Sequence, residues 1–158
     1  MMQNVVQYRD ASIDIQDVLV SRALQVIQNR VKEYKLVQID QLISAFTANG
    51  FGLFHPVAFR FSDGSCSIVT PPVLEATGDG MVVIEGLTRF YQCVQSRETS
   101  VKAVVVRGVE ADLPCDAVMQ IGDVRVASST FGLPEIIPGV ESKRRLMRRI
   151  ENVMHPVE

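Results

Sequence analysis

Histidine is scarce in this 158-residue chain: His55 and His155 are the only two, so a histidine-built metal centre has almost no material. Cysteine is little better supplied. Cys66, Cys93 and Cys115 are odd in number, widely spaced and free of any Cys-x-x-Cys pair, which argues against a disulfide framework or a zinc site. Buried, inert thiols are the expectation for all three. Neither sign of charge dominates. The net charge is −2, so nothing global points to a nucleic-acid or membrane-surface binder. No apolar run approaches the roughly 18–20 residues that span a bilayer. The opening MMQNVVQYRD lacks the basic-then-apolar succession of a signal peptide, and the expectation is a cytoplasmic protein with no membrane partner. What is present is ordinary for a globular protein: 47% hydrophobic and 22% charged residues, enough at this length for one domain with a sizeable core.

Periodicity divides the chain. Val20, Ala23, Leu24, Ile27 and Val31 recur at helical spacing and predict a first helix over 17–34, capped by Ser12 or Asp14. A second helix is expected from Asp40 through Phe46, stopping at Asn49–Gly50. Val57, Phe59 and Phe61 then alternate with polar or small residues as a strand, with a turn at Asp63–Gly64 and a short strand over 67–69. Pro71–Pro72 stiffens the approach to Val73–Leu74, and Gly78–Asp79–Gly80 turns the chain into a strand over 81–84. A helix over 87–97, a buried strand over 101–106 and a strand over 118–126 follow. A Gly- and Pro-rich loop over 131–139 leads to a last helix over 141–154. The class is α+β: an N-terminal helical segment (1–38), a core (39–130), and a loop with a basic C-terminal helix (131–158).

The most informative stretch is the run from Met81 to Tyr91. An apolar, β-branched strand stops at Gly86, and Arg89 stands three residues later in the first turn of a helix. Such a junction leaves helix-start N–H groups unpartnered. Those donors, the positive end of the helix dipole and a guanidinium suit a phosphate or a carboxylate. Without further context, Gly86 could equally make a tight turn, Thr88 cap the helix and Arg89 sit in a surface ion pair.

The order of parts resembles the ParB/sulfiredoxin superfamily, also called ParB-like nuclease domains. The resemblance is carried by Gln41–Phe46, by GFGLFHPVAFR from Gly50 to Arg60, by Met81–Cys93 and by Val101–Val106, within about 39–109. Gly86–Leu87–Thr88–Arg89 is most similar to the Gly-His-Thr-Arg form of some members, including free serine kinases. The resemblance implies a small mixed sheet with helices that binds a nucleotide phosphate tail, of ATP or CTP, with Mg²⁺. Gly86 would admit the phosphate, Arg89 contact it and Thr88 donate a hydroxyl. Two departures limit the chemistry. Leu87 stands where sulfiredoxins place their catalytic cysteine, and Leu87–Thr88 leave one arginine where partitioning proteins carry two.

Other residues have two readings. Glu85 is the candidate catalytic base or Mg²⁺ partner, or else the outward end of a strand that pairs with Arg89. His55, at a strand start near the pocket in this fold class, could touch base or substrate, or be incidental. Arg60 has a similar standing, and Glu75 and Asp79 a weaker one. The basic run Lys143–Arg144–Arg145 with Arg148–Arg149 could dock on the domain, pair with a twin in a homodimer, or lie on nucleic acid. Two functions follow. One is nucleotide binding, with hydrolysis or phosphotransfer to a small molecule if the protein is an enzyme. The alternative is a non-catalytic regulatory or DNA-associated module that keeps the fold.

Overall fold

A computed structural model describes residues 5–60, 66–128, 139 and 143–148. The centre is a mixed six-stranded sheet in the order β1 (Ser12–Leu19), β8 (Ser100–Arg107), β6 (Val73–Thr77), β7 (Gly80–Glu85), β2 (Gln25–Val26) and β9 (Met119–Gln120). β1 runs antiparallel to β8, with Ser12 opposite Arg107 and Leu19 opposite Ser100. β8 is parallel to β6, and β6 antiparallel to β7. Two small ladders flank the sheet: β3 (Arg30–Lys32) with β10 (Arg125–Ala127), and β4 (Val57–Arg60) with β5 (Cys66–Val69). The helices are α1 (Glu33–Ala48) and α2 (Leu87–Gln95).

The near-continuous apolar run of β8 is explained by burial on both faces. Val101, Ala103 and Val105 join Leu74 and Val83 in a core under the helices, closed by Phe46, Phe54, Leu87, Phe90 and Cys93. Val104 and Val106 turn the other way, with Val73, Val82 and Ile84, into a second core shared with Val5, Tyr8, Ile27 and Cys115. A strand buried on both sides has no polar face to alternate with.

The helix expected over 17–34 is not there, and of the expected N-terminal helical segment only 33–38, the start of α1, is α-helical among the described residues. β1 belongs to the central sheet, and 20–32 is a turn and two short strands. Leu24, Val26 and Val31 enter the first core while Ile27 enters the second. Residues that serve both sides of a sheet cannot share one helical stripe, so the helical spacing was coincidental. α1 begins at Glu33 rather than Asp40, and its end at Asn49–Gly50 is where it was expected. Asp40, inside the helix, accepts a hydrogen bond from Gln92 Nε2 of α2. The strand expected over 118–126 is split by a 3-10 turn at Ile121–Asp123, so that β9 pairs with β2 and β10 with β3.

The turn at Asp63–Gly64 and most of 131–139 lie outside the described residues, as does most of the helix expected over 141–154. Its described part, 143–148, holds one 3-10 turn at Arg144–Leu146. Arg148 does not lie on an exposed basic face: its guanidinium is buried against Glu75, Nε to Oε1 at 2.7 Å.

Cys93 bears out the expectation of a buried thiol. Burial, aided by Glu98, pushes its pKa up from 9.0 to about 12. Burial and then Glu75 also raise the Tyr8 hydroxyl. Both groups are neutral in the fold and ionise more readily when unfolded. The stability they support is complete below pH 9 and lost as pH rises through the thiol's window from 9.0 to about 12. The thiol alone should contribute a slope of about 1.4 kcal/mol per pH unit there. Urea midpoints at pH 8 and pH 10 measure that slope, and Cys93→Ala should remove the thiol's share.

Candidate functional site

The site forms where β7 hands over to α2. Val73 of β6 pairs with Glu85 and Leu74 pairs with Val83, which leaves Ile84 as an extra, bulged residue. A bulge re-aims the strand beyond it. Gly86 follows with φ +91°, in left-handed backbone. A Cβ at this position would lie 2.5 Å from Pro72 Cβ and 3.1 Å from Arg89 Nη2. Backbone and space therefore both demand glycine. The Gly86 carbonyl accepts the first helical hydrogen bond, from the Phe90 N–H at 3.1 Å, and no side chain caps α2. First-turn N–H groups are thus left available to an anion.

Arg89 is held in place rather than free. Its Nη1 donates to the Thr70 carbonyl, and its guanidinium carbon stands 5.7 Å from the centre of the Phe54 ring. Burial pushes its pKa below the usual value, while Glu85 and Cys93 oppose the shift. A guanidinium nevertheless stays charged in a protein. Phe54 itself is fully buried, sits at φ +59°, and meets Phe46 edge-on at 6.0 Å.

A cleft of about 350 Å³ opens at this junction. Glu85, Gly86, Thr88 and Arg89 line one side. Facing them are Gln28, from the turn before β3, and Lys35 and Gln38, one turn apart on α1. Ile39, Ile84 and Leu87 complete the lining among the described residues, and none of these lining residues is aromatic. Among the described residues no ion pair engages the Lys35 ammonium. Among the described residues the cleft therefore carries two cations, one carboxylate, two side-chain amides and a hydroxyl.

The sequence reading missed Gln28, Lys35 and Gln38. Lys35 falls just beyond the helix expected over 17–34, and in the structure it lies in the first turn of α1. Only the docking of α1 across the junction reveals its role. His55 is not brought to the cleft. It is exposed, follows Phe54, and its backbone N–H donates to the Gly52 carbonyl at 3.0 Å. Glu75 is buried in the second core, paired with Arg148 and Tyr8. Among the described residues there is no group of three or more His, Cys, Asp or Glu that could hold a metal ion, and no helix long and apolar enough to cross a membrane.

No known protein family, curated protein or solved structure was found to match the chain.

Proposed function

We propose that this chain is a phosphate-binding domain of ParB/sulfiredoxin type that grips the phosphate tail of a nucleoside triphosphate, ATP or CTP. The reading rests on one observation. The open N-terminus of α2, the close-approach glycine Gly86, Arg89 and Lys35, which has no ion-pair partner among the described residues, all border one cleft. Backbone N–H groups and two cations from different helices match a polyanion better than a single carboxylate. Among the described residues the lining holds no aromatic side chain to stack on a base, so this cleft suits the phosphate end of the ligand. Glu85 would be the one protein carboxylate on Mg²⁺, the remaining ligands coming from phosphate oxygens and water, which is usual for that ion. If a reaction occurs, phosphoryl transfer or hydrolysis is the class, with catalysis by positioning and charge neutralisation.

The alternative, a DNA-associated module contacting nucleic acid through the basic C-terminal run, has lost part of its support. Arg148 is committed to Glu75 and Lys143 to Asp116 at 2.8 Å, so two of the five cations of that run are turned to the fold.

Thermal unfolding with ATP, CTP, ADP, GTP and pyrophosphate, with and without Mg²⁺, tests the proposal. A true ligand at a hundredfold excess over its Kd should raise Tm by roughly 5–10 °C. Arg89→Met should abolish that rise and Lys35→Met reduce it, with Lys35→Met leaving the unliganded Tm nearly unchanged. The absence of any rise with all five compounds would sink the reading.

A further inference from the structure

On the sheet face turned away from α1 and α2, Glu75 of β6 is buried among apolar side chains. Its Oε1 accepts from the Tyr8 hydroxyl at 2.8 Å and from Arg148 Nε at 2.7 Å. Arg148 Nη2 donates to Glu75 Oε2 at 3.0 Å and to the Ala111 carbonyl at 3.2 Å. Nη1 donates to the carbonyls of Asp112 at 3.0 Å and Leu146 at 2.7 Å. All five N–H donors of the guanidinium are engaged, and its carbon lies 6.0 Å from the centre of the Tyr8 ring. The side chains of Arg148 and Glu75 are 0% and 2% exposed.

We propose that Glu75, Tyr8 and the Ala111 and Asp112 carbonyls form a guanidinium receptor, which Arg148 occupies as a releasable latch for residues 143–148. Four of its five hydrogen bonds end on acceptors outside that segment, so the pocket is built by the rest of the domain. The forked, planar arrangement selects a guanidinium over an ammonium. As a device for stability alone, a buried ion pair is a poor choice, since apolar residues of the same volume often serve as well or better. What it provides is recognition. Among the described residues the segment's other fastenings are the Lys143–Asp116 pair, which is partly solvated, and the packing of Met147 on the second core. Releasing one side chain therefore frees most of the attachment.

Chemical rescue tests the receptor. In the full chain, Arg148→Ala should lower Tm by roughly 10 °C, because a buried carboxylate loses its partner. Ethylguanidinium at non-denaturing concentration should restore much of the loss, while ethylammonium at equal ionic strength should not. The double variant Glu75→Gln, Arg148→Ala should show no such recovery. Equal effects of the two cations, or rescue of the double variant, would overturn the proposal. If Arg148→Ala yields no soluble protein, phenylglyoxal modification read by mass spectrometry replaces it. Arg148 should be protected in the native chain and react like the exposed Arg145 in Glu75→Gln. Equal Arg148 reactivity in the two proteins would overturn the latch.

Discussion

Gly86→Ala should destabilise the protein by about 2–5 kcal/mol and abolish anion binding. Two costs add. An L-residue in left-handed backbone costs about 1–2 kcal/mol, and forcing a methyl group into filled space costs about 1–3 kcal/mol. The collision is with Pro72, whose Cβ and Cα would lie 2.5 and 3.1 Å from the new Cβ. Pro72 has little room to retreat. Its carbonyl accepts from the Val104 N–H at 2.8 Å, and the next residue, Val73, is paired on both sides, with Val104 and Glu85. Arg89 Nη2, 3.1 Å from the added atom, would be displaced as well. Gly50→Ala supplies the control. Gly50 has φ +68°, but among the described residues no atom beyond its chain neighbours lies within 4 Å of where its Cβ would stand, so it should lose only the backbone cost of about 1–2 kcal/mol. Urea denaturation of both variants separates strain from collision, and equal losses would show that Pro72 yields.

Phe54→Ala should cost about 3–5 kcal/mol, the range for removing a buried aromatic side chain. Phe54 is 0% exposed and meets Phe46 edge-on, so truncation leaves a cavity between α1 and the sheet. The second effect is at the cleft, because the same ring lies under the Arg89 guanidinium at 5.7 Å. Phe54→Leu distinguishes the two. It refills most of the volume and should cost about 1.5 kcal/mol or less, yet it removes the aromatic face under Arg89 and leaves its hydrogen bond to the Thr70 carbonyl. Calorimetric titration of the compound that stabilises the native chain should find weaker binding in Phe54→Leu. Unchanged affinity would mean that the ring only fills space.

The part of the fold legible in the sequence runs from Val73 to Val106. There β7 and β8 are β-branched runs, glycine marks the β6–β7 turn, and α2 follows its glycine directly. Short-range chemistry settles such elements. The region before Tyr34 was illegible for a specific reason. Ile13 and Ile15 do alternate with Asp14 and Gln16, but β1 is an edge strand with Ile15 54% and Leu19 75% exposed. Its apolar residues were therefore no guide to a buried face, and the later helical spacing of Leu24, Ile27 and Val31 was the stronger pattern. The candidate site divides along the same line. Glu85, Gly86, Thr88 and Arg89 are contiguous and could be read from one stretch. Lys35 and Gln38 face them across the cleft only because α1 packs there, a contact between segments some fifty residues apart that no local pattern encodes.

β1 also dictates when the fold can close. The Lys102–Asp17 and Arg107–Asp14 contacts between β1 and β8 span 85 and 93 residues of sequence. Closing loops that long carries an entropic cost that grows with length, and non-local pairings form slowly. During synthesis β1 emerges well before β8 and must wait with Ile13 and Val18 uncovered. Asp14 and Asp17 put two negative charges on that unpaired strand, and charge on a bare strand opposes its pairing with another chain.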